Sequence, residues 1–299
     1  MNTELIHAAR DGDLDTVRYY LKETKAPVEA HDKEGVTALI RGAMKGHLEL
    51  VRFLVEEAKA DVEAKDVYGL TALISAAERN EIKVLRYLVE HANARVEATD
   101  GYGSTALIRA ARKGRIGVVR YLVEDAKANV EAEDLQKWTA LIWGARNGSL
   151  EVVQYLVDKA GANTEAKSNK GWTALMCSTF YGHVRVVRYL IERAHASVEA
   201  RDYNGHTVTD LAFLSWTCGS SVKKFLTDVE GKKLINRAVV RDLDCVHMLH
   251  PMIFKYVDRP AHPPSVRSRP RESTVRHFNV VDPVEWEEGS VPGGCCVTS

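Results

Sequence analysis

Apolar and polar positions along this chain follow a pattern that restarts every 34 residues. In the stretch from Thr105 to Glu131, TALIRAARKGRIGVVRYLVEDAKANVE, the apolar residues of TALIRAAR and of VVRYLV recur three and four apart, which predicts two helices in each unit. Thr37, Thr71, Thr105, Thr139, Thr173 and Thr207 keep the beat, and Thr-Ala-Leu opens five of these six blocks. Glu29, Glu63, Glu97, Glu131, Glu165 and Glu199 keep it too, each followed by an alanine. A fixed period of this size signals a repeat array. No single unit can bury its apolar faces alone, so stacked neighbours supply the core.

Local signals divide each unit further. Thr105 suits the N-cap of the first helix. Gly114 ends it, because a left-handed residue is wanted just past a helix. Gly12, Gly46, Gly148 and Gly182 hold the same place, and the one departure, Asn80, is the next-best residue for that backbone conformation. The second helix is expected from about Ile116 to Ala126, with Val118, Val119, Leu122 and Val123 as its buried stripe. VEAEDLQ or its equivalent then forms a turn-rich segment that projects between units.

The expected fold is therefore all-α, a solenoid of helix-turn-helix units with short projecting loops. ELIHAARDGDLDTVRYYL lacks a preceding loop and carries more polar residues, as an N-terminal capping unit should. Five regular repeats follow. After Gly205, HTVTDLAFLSWTCGSSVKKFL is helical but shifted, and KLINRAVVRDLDCVHML matches the first unit, which makes it a C-terminal cap. The solenoid is placed at residues 1–258. Residues 259–299, rich in Pro, Ser, Arg and Gly and without helical periodicity, are expected to be a disordered tail.

The recurring pattern D-x-x-G-x-T-A-L-I-x-A-A-x-x-G-x-x-x-V-V-R-Y-L-V resembles the ankyrin repeat, whose signature includes T-P-L-H-x-A, over about Leu5 to Ala200. Proline and histidine of that tetrapeptide are Ala106 and Ile108 here, so the hydroxyl–imidazole hydrogen bond of the family is unavailable and more of the stability falls to apolar packing. The period is one residue longer than the family's, and the extra residue is placed in AKA after the second helix. The resemblance implies a non-enzymatic protein-interaction scaffold, and the chain is expected to be monomeric on its own. Its first helices would line a concave groove that binds another protein together with the loop tips.

The positions that vary between units are where such a partner would be read. On the first helices these are Arg41, Met44 and Lys45, then Ser75, Glu78 and Arg79, then Arg109, Arg112 and Lys113, then Trp143, Arg146 and Asn147, then Cys177, Phe180 and Tyr181. Each trio shares one helix face. The loop tips add Tyr68, Tyr102, Trp138, Trp172 and Tyr203. A core position in similar units should keep a similar volume, so these varying aromatics are expected on the surface. Aromatics beside arginines are the composition of interface hot spots. The partner surface is therefore expected at Tyr68, Arg79, Tyr102, Arg109, Arg112, Trp138, Trp143, Arg146, Trp172, Phe180, Tyr181 and Tyr203. Lys137, in place of the turn glycine, is expected to reshape its loop.

Charge and chemistry narrow the rest. Lysine plus arginine equals aspartate plus glutamate, 41 against 41, so net charge supplies no bulk attraction to nucleic acid, and none is expected as a partner. Five irregularly spaced cysteines do not suggest a disulfide framework. The beginning of the chain shows no secretory signal, and no apolar run reaches the ~20 residues that span a bilayer, so a cytoplasmic setting is expected. Gly101-Tyr102-Gly103-Ser104-Thr105-Ala106 satisfies G-x-G-x-x-A, but no buried strand precedes it, as dinucleotide binding requires. The six glutamates lie in equivalent environments, which suits a structural ladder rather than acid–base catalysis. Cys245 and His247 would point about 200° apart on a helix, so no metal site is expected with His250. No cofactor and no catalytic set are expected.

Cys296-Val297-Thr298-Ser299 fits C-a-a-X, and Cys295 beside it is a second candidate for lipid. The expectation is a scaffold held at the cytosolic face of a membrane by a prenyl anchor. The alternative is a soluble cytosolic adaptor or inhibitor without lipid.

Overall fold

A computed structural model describes residues 2–215 and 220–227. These form fourteen helices in seven pairs: α1 (Asn2–Asp11) with α2 (Leu14–Lys22), α3 (Ala38–Lys45) with α4 (Leu48–Glu56), α5 (Ala72–Arg79) with α6 (Ile82–Glu90), and α7 (Ala106–Arg112) with α8 (Ile116–Glu124). Then follow α9 (Ala140–Arg146) with α10 (Leu150–Asp158), α11 (Ala174–Phe180) with α12 (Val184–Glu192), and α13 (Val208–Leu214) with α14 (Ser220–Thr227). No strand occurs among the described residues.

The helix ends follow the local chemistry. Thr37, Thr71, Thr105, Thr139, Thr173 and Thr207 are all N-caps, each hydroxyl accepting from the backbone N–H three residues on. Thr207 adds a capping box with Asp210. Gly46 at φ 78° and Asn80 at φ 70° close α3 and α5 in the left-handed conformation, so asparagine does replace glycine here. The second helix of the third unit stops at Glu124, and Tyr121 rather than Val123 completes its buried stripe with Val118, Val119 and Leu122. Past five of the second helices, Lys25, Lys59, Asn93, Lys127 and His195 take φ between 52° and 59°, and past α10 Gly161 takes φ 66°, each at the centre of the AKA segment that holds the extra residue.

First helices pack on first helices from α1 through α13, and on the second helix of their own unit. In each interior unit the core is the same short set: Leu107, Ile108, Val118, Val119 and Leu122 are buried in the third. Each such side chain contributes about 1.5–3 kcal/mol on leaving water, set against the entropy of ordering the chain.

Two further ladders join the units. Glu29, Glu63, Glu97, Glu131 and Glu165 each accept from the backbone N–H of Asp61, Arg95, Asn129, Asn163 and Ser197 in the next unit, at 2.7–2.8 Å. The glutamate ladder is structural because its carboxylates satisfy the neighbour's loop. At the loop tips, Val67, Gly101, Leu135, Asn169 and Tyr203 donate their N–H to the carbonyls of Glu34, Tyr68, Tyr102, Gln136 and Lys170. The loop at Lys137 is not reshaped. Lys137 takes φ 59°, and its N–H bonds Asp134 O at 2.8 Å just as Gly103 N–H bonds Asp100 O, so the turn imposes its geometry on a lysine. The C-terminal capping segment KLINRAVVRDLDCVHML, the boundary at residue 258, the tail, and Cys245, His247 and His250 lie outside the described residues.

Candidate functional site

Each projecting loop is closed by a side chain that recurs with the period. Oδ1 of Asp32, Asp66, Asp100, Asp134 and Asp202 accepts the backbone N–H two and four residues on, at 2.8–3.0 Å. Ser168 does the same with its hydroxyl, more loosely. The second carboxylate oxygen is then free to receive a donor from nine residues further on, in the first helix. Arg41 reaches Asp32 at 2.7 Å, Arg109 reaches Asp100 at 2.6 Å, and Trp143 Nε1 reaches Asp134 at 2.9 Å.

The second unit breaks this series. Ser75 stands where the donor should be, and its hydroxyl is buried without a hydrogen-bond partner. Burial pushes the Asp66 carboxyl above its ordinary range, the N–H groups of Leu70 and Tyr68 opposing it. Burial acts on Asp32 too, but the Val36 N–H, the Arg41 guanidinium and the Glu34 N–H together hold that carboxyl below its ordinary range.

Four of the residues expected on the partner surface are part of the frame instead. Trp138 is 2% exposed, Trp172 6%, Arg109 7% and Phe180 9%. Trp138 and Trp172 are not at loop tips; they directly precede the threonine cap. There Trp138 packs on Trp143 with centroids 4.8 Å apart, and Trp172 packs on Phe180 at 5.0 Å and donates to Asp202 at 3.3 Å. Arg109 lies between Asp100 and Glu78. Variation between units failed as a mark of surface because packing volume itself changes along the array: Ser75 and Ser104 are buried in one stretch, Trp138, Trp172 and Phe180 in the next.

Four others come together along α7, α9 and the end of α11. Arg112 lies over the Trp143 ring at 4.7 Å, and Arg146 lies over the same ring at 5.0 Å and over Tyr181 at 4.9 Å. All four are half-buried. Lys113 is ion-paired with Glu78 at 3.3 Å, whereas Arg112 and Arg146 have no ion pair among the described residues, and Arg146 Nε is buried without a hydrogen-bond partner. Burial lowers the pKa of Arg112, the charges of Arg109 and Arg146 lower it further, and Glu78 opposes them. Tyr102 and Arg79, both exposed, flank the row, and Tyr102 meets Arg109 at 5.7 Å. Tyr68 is half-buried and Tyr203 is 68% exposed at its loop tip.

Sequence reasoning placed Asn147 on this face but missed that it and His183 hold the row. Asn147 Nδ2 donates to the carbonyl of Arg112, and His183 Nε2 contacts that of Arg146 at 2.7 Å, so this nitrogen carries the proton. Both satisfy carbonyls left open at a helix end. His47 does the same for Arg10 and Arg115 Nε for Glu78, each 37 residues on as in the His183 contact, which was the legible signal: a polar residue at a fixed offset in alternate units. Leu135, 75% exposed, and Val67 share the tip position of Tyr203 and were also missed.

The second-helix face carries a different arrangement. Tyr87, Tyr121, Tyr155 and Tyr189 donate to Glu56, Glu90, Glu124 and Asp158 of the preceding unit at 2.7–3.1 Å. Burial and these hydrogen bonds push the hydroxyls of Tyr87, Tyr121 and Tyr155 up to about 12. Arg52, Arg86 and Arg188 pair with Glu56, Glu90 and Glu192 one turn on, while Arg120 lies over Tyr155. Two shallow clefts of about 370 and 340 Å³ open on this face, lined by these same groups. Cys295 and Cys296 lie outside the described residues.

A family model described as ankyrin repeats (3 copies) matches residues 5–100, 60–134, 93–168 and 125–202. A search of curated proteins finds no match.

Proposed function

The chain belongs to the ankyrin-repeat family, generally one of non-enzymatic interaction modules, and on that premise we propose that it is a cytosolic scaffold or adaptor that binds another protein through the first-helix face of its third to fifth regular units. The observation that carries this reading is the row Arg112, Trp143, Arg146 and Tyr181, half-buried side chains whose two arginines have no ion pair among the described residues. Tyr102, which meets Arg109, borders it. Large aromatics and arginines of this kind carry most of the binding energy in protein interfaces. No cofactor, metal or nucleic acid enters this reading, and the protein acts as a monomer until its partner binds.

A pull-down of the full chain from its native source tests it. Trp143→Ala with Tyr181→Ala should lose the partner that the unaltered protein recovers, while Tyr121→Phe on the other face keeps it. Unchanged recovery with the first pair would sink the chosen surface.

A membrane tether is a second reading, favoured by the residue types at Cys295 and Cys296. Intact-mass measurement of the native protein decides it: a farnesyl adduct on Cys296 supports the tether, and an unmodified full-length mass supports the soluble adaptor.

A further inference from the structure

The first-helix row lacks one element that the rest of the array supplies. Arg41 is neutralised by Asp32, Arg109 by Asp100 and Glu78, and Lys113 by Glu78. Arg112 and Arg146 instead share the ring of Trp143, two like charges within 5.0 Å of one centroid, and the buried Nε of Arg146 has no hydrogen-bond partner among the described residues. Asn147 and His183 fix the backbone beneath them. What the site lacks is a single negative charge with two acceptor oxygens.

We propose, resting on the partner surface described above, that the partner presents an aspartate or glutamate whose carboxylate lodges between Arg112 and Arg146. It sits in a segment whose neighbouring apolar residues pack against Tyr181 and the edge of Trp143 that the two guanidiniums leave open. The guanidinium fork matches a carboxylate in two parallel hydrogen bonds. The surrounding aromatic rings exclude water, which strengthens that contact. Relief of the Arg112–Arg146 repulsion favours binding further.

A single carboxylate fits better than phosphate. Glu78, Asp100 and Asp134 already hold the neighbouring Arg109, Lys113 and Trp143, so a dianion or a run of phosphates would meet three fixed negative charges. The Trp143 ring already carries two guanidiniums and offers no free platform for a nucleic-acid base.

The test uses the full-length protein to select peptides from a random displayed library. The selected sequences should share an acidic residue at one position. Changing it to the amide in the synthetic peptide should weaken binding about 10- to 100-fold, by an amount that shrinks as salt rises. Arg112→Gln with Arg146→Gln should do the same in the protein, and Arg112→Lys with Arg146→Lys should restore only part. The amide change lies in the peptide, so the answer does not depend on the folding of a protein variant.

Peptides that lose binding on Trp143→Ala yet share no acid would overturn the acidic anchor and leave the partner surface standing. Peptides indifferent to both Trp143→Ala and Tyr181→Ala would overturn the surface as well. A phosphoserine substitution that tightens binding by about tenfold, or full competition by a single-stranded oligonucleotide, would overturn the choice of a carboxylate.

Discussion

On the second-helix face, one arrangement is repeated down the array. A tyrosine hydroxyl reaches back to the carboxylate of the preceding unit, and in three units an arginine pairs with that carboxylate or its equivalent one turn away. The first-helix face starts from the same backbone but changes its side chains unit by unit. Arg41 and Arg109 are locked to the turn aspartates, whereas Arg112 and Arg146 stack on aromatics with no ion pair among the described residues. A solenoid needs its neighbours joined, and the repeated face does that. The repeated face makes the same inter-unit contact in successive units, whereas the first-helix face makes contacts that occur once, Arg112 over Trp143 and Arg146 over Tyr181, and it is there that binding is proposed.

The sharpest break in this comparison concerns Arg109, which belongs by position with the varying residues but by contacts with the frame. Arg109→Ala leaves Asp100, whose side chain is fully buried, without its partner, and should cost about 3–5 kcal/mol in urea unfolding. A cost near zero would return Arg109 to the binding row.

Next in size is the pH dependence of the first two turn aspartates, whose signs are opposite. The Asp32 carboxyl is held below its ordinary value, so its stabilisation is present above about pH 4 and is lost as pH falls through the lowered pKa. The Asp66 carboxyl is held above its ordinary value, so its contribution is complete below about pH 4 and is lost as pH rises through the raised pKa. Asp32→Asn should therefore destabilise the protein at pH 7, and Asp66→Asn should be neutral or stabilising there. Melts from pH 3 to pH 7 read both, and parallel behaviour would contradict the missing-donor account of Ser75.

Tyr121→Phe removes one rung of the repeated face and should cost about 0.5–1.5 kcal/mol in urea while leaving partner binding intact. The smallest effect is expected for Arg52→Ala, whose exposed pair with Glu56 contributes about 0.2–0.5 kcal/mol.

What was legible in the sequence was local. The threonine caps, the glycine and asparagine stops and the glutamate ladder each depend on a few neighbouring backbone groups repeated in register, so the period displays them. The surface residues were legible only in part. Trp138 and Trp172 vary between units, yet they lie beneath the first helices, because neighbouring units exchange volume that no single unit reveals. The tie from Asp100 to Arg109 did leave a signal, an acid and a donor nine residues apart in the first, third and fourth regular units, with Cys177 following where the acid is Ser168. The solitude of Arg112 and Arg146 left none, since it is the outcome of what three adjacent units fail to place nearby.

Site-specific photo-crosslinking compares the two faces most directly. A photoreactive phenylalanine is placed at Tyr181 in one protein and at the exposed Arg120 in another, and each full-length chain is illuminated in an extract of its native cell. A partner adduct is expected from position 181 and none from position 120. An adduct from position 120 alone would contradict it and move the binding surface to the repeated face.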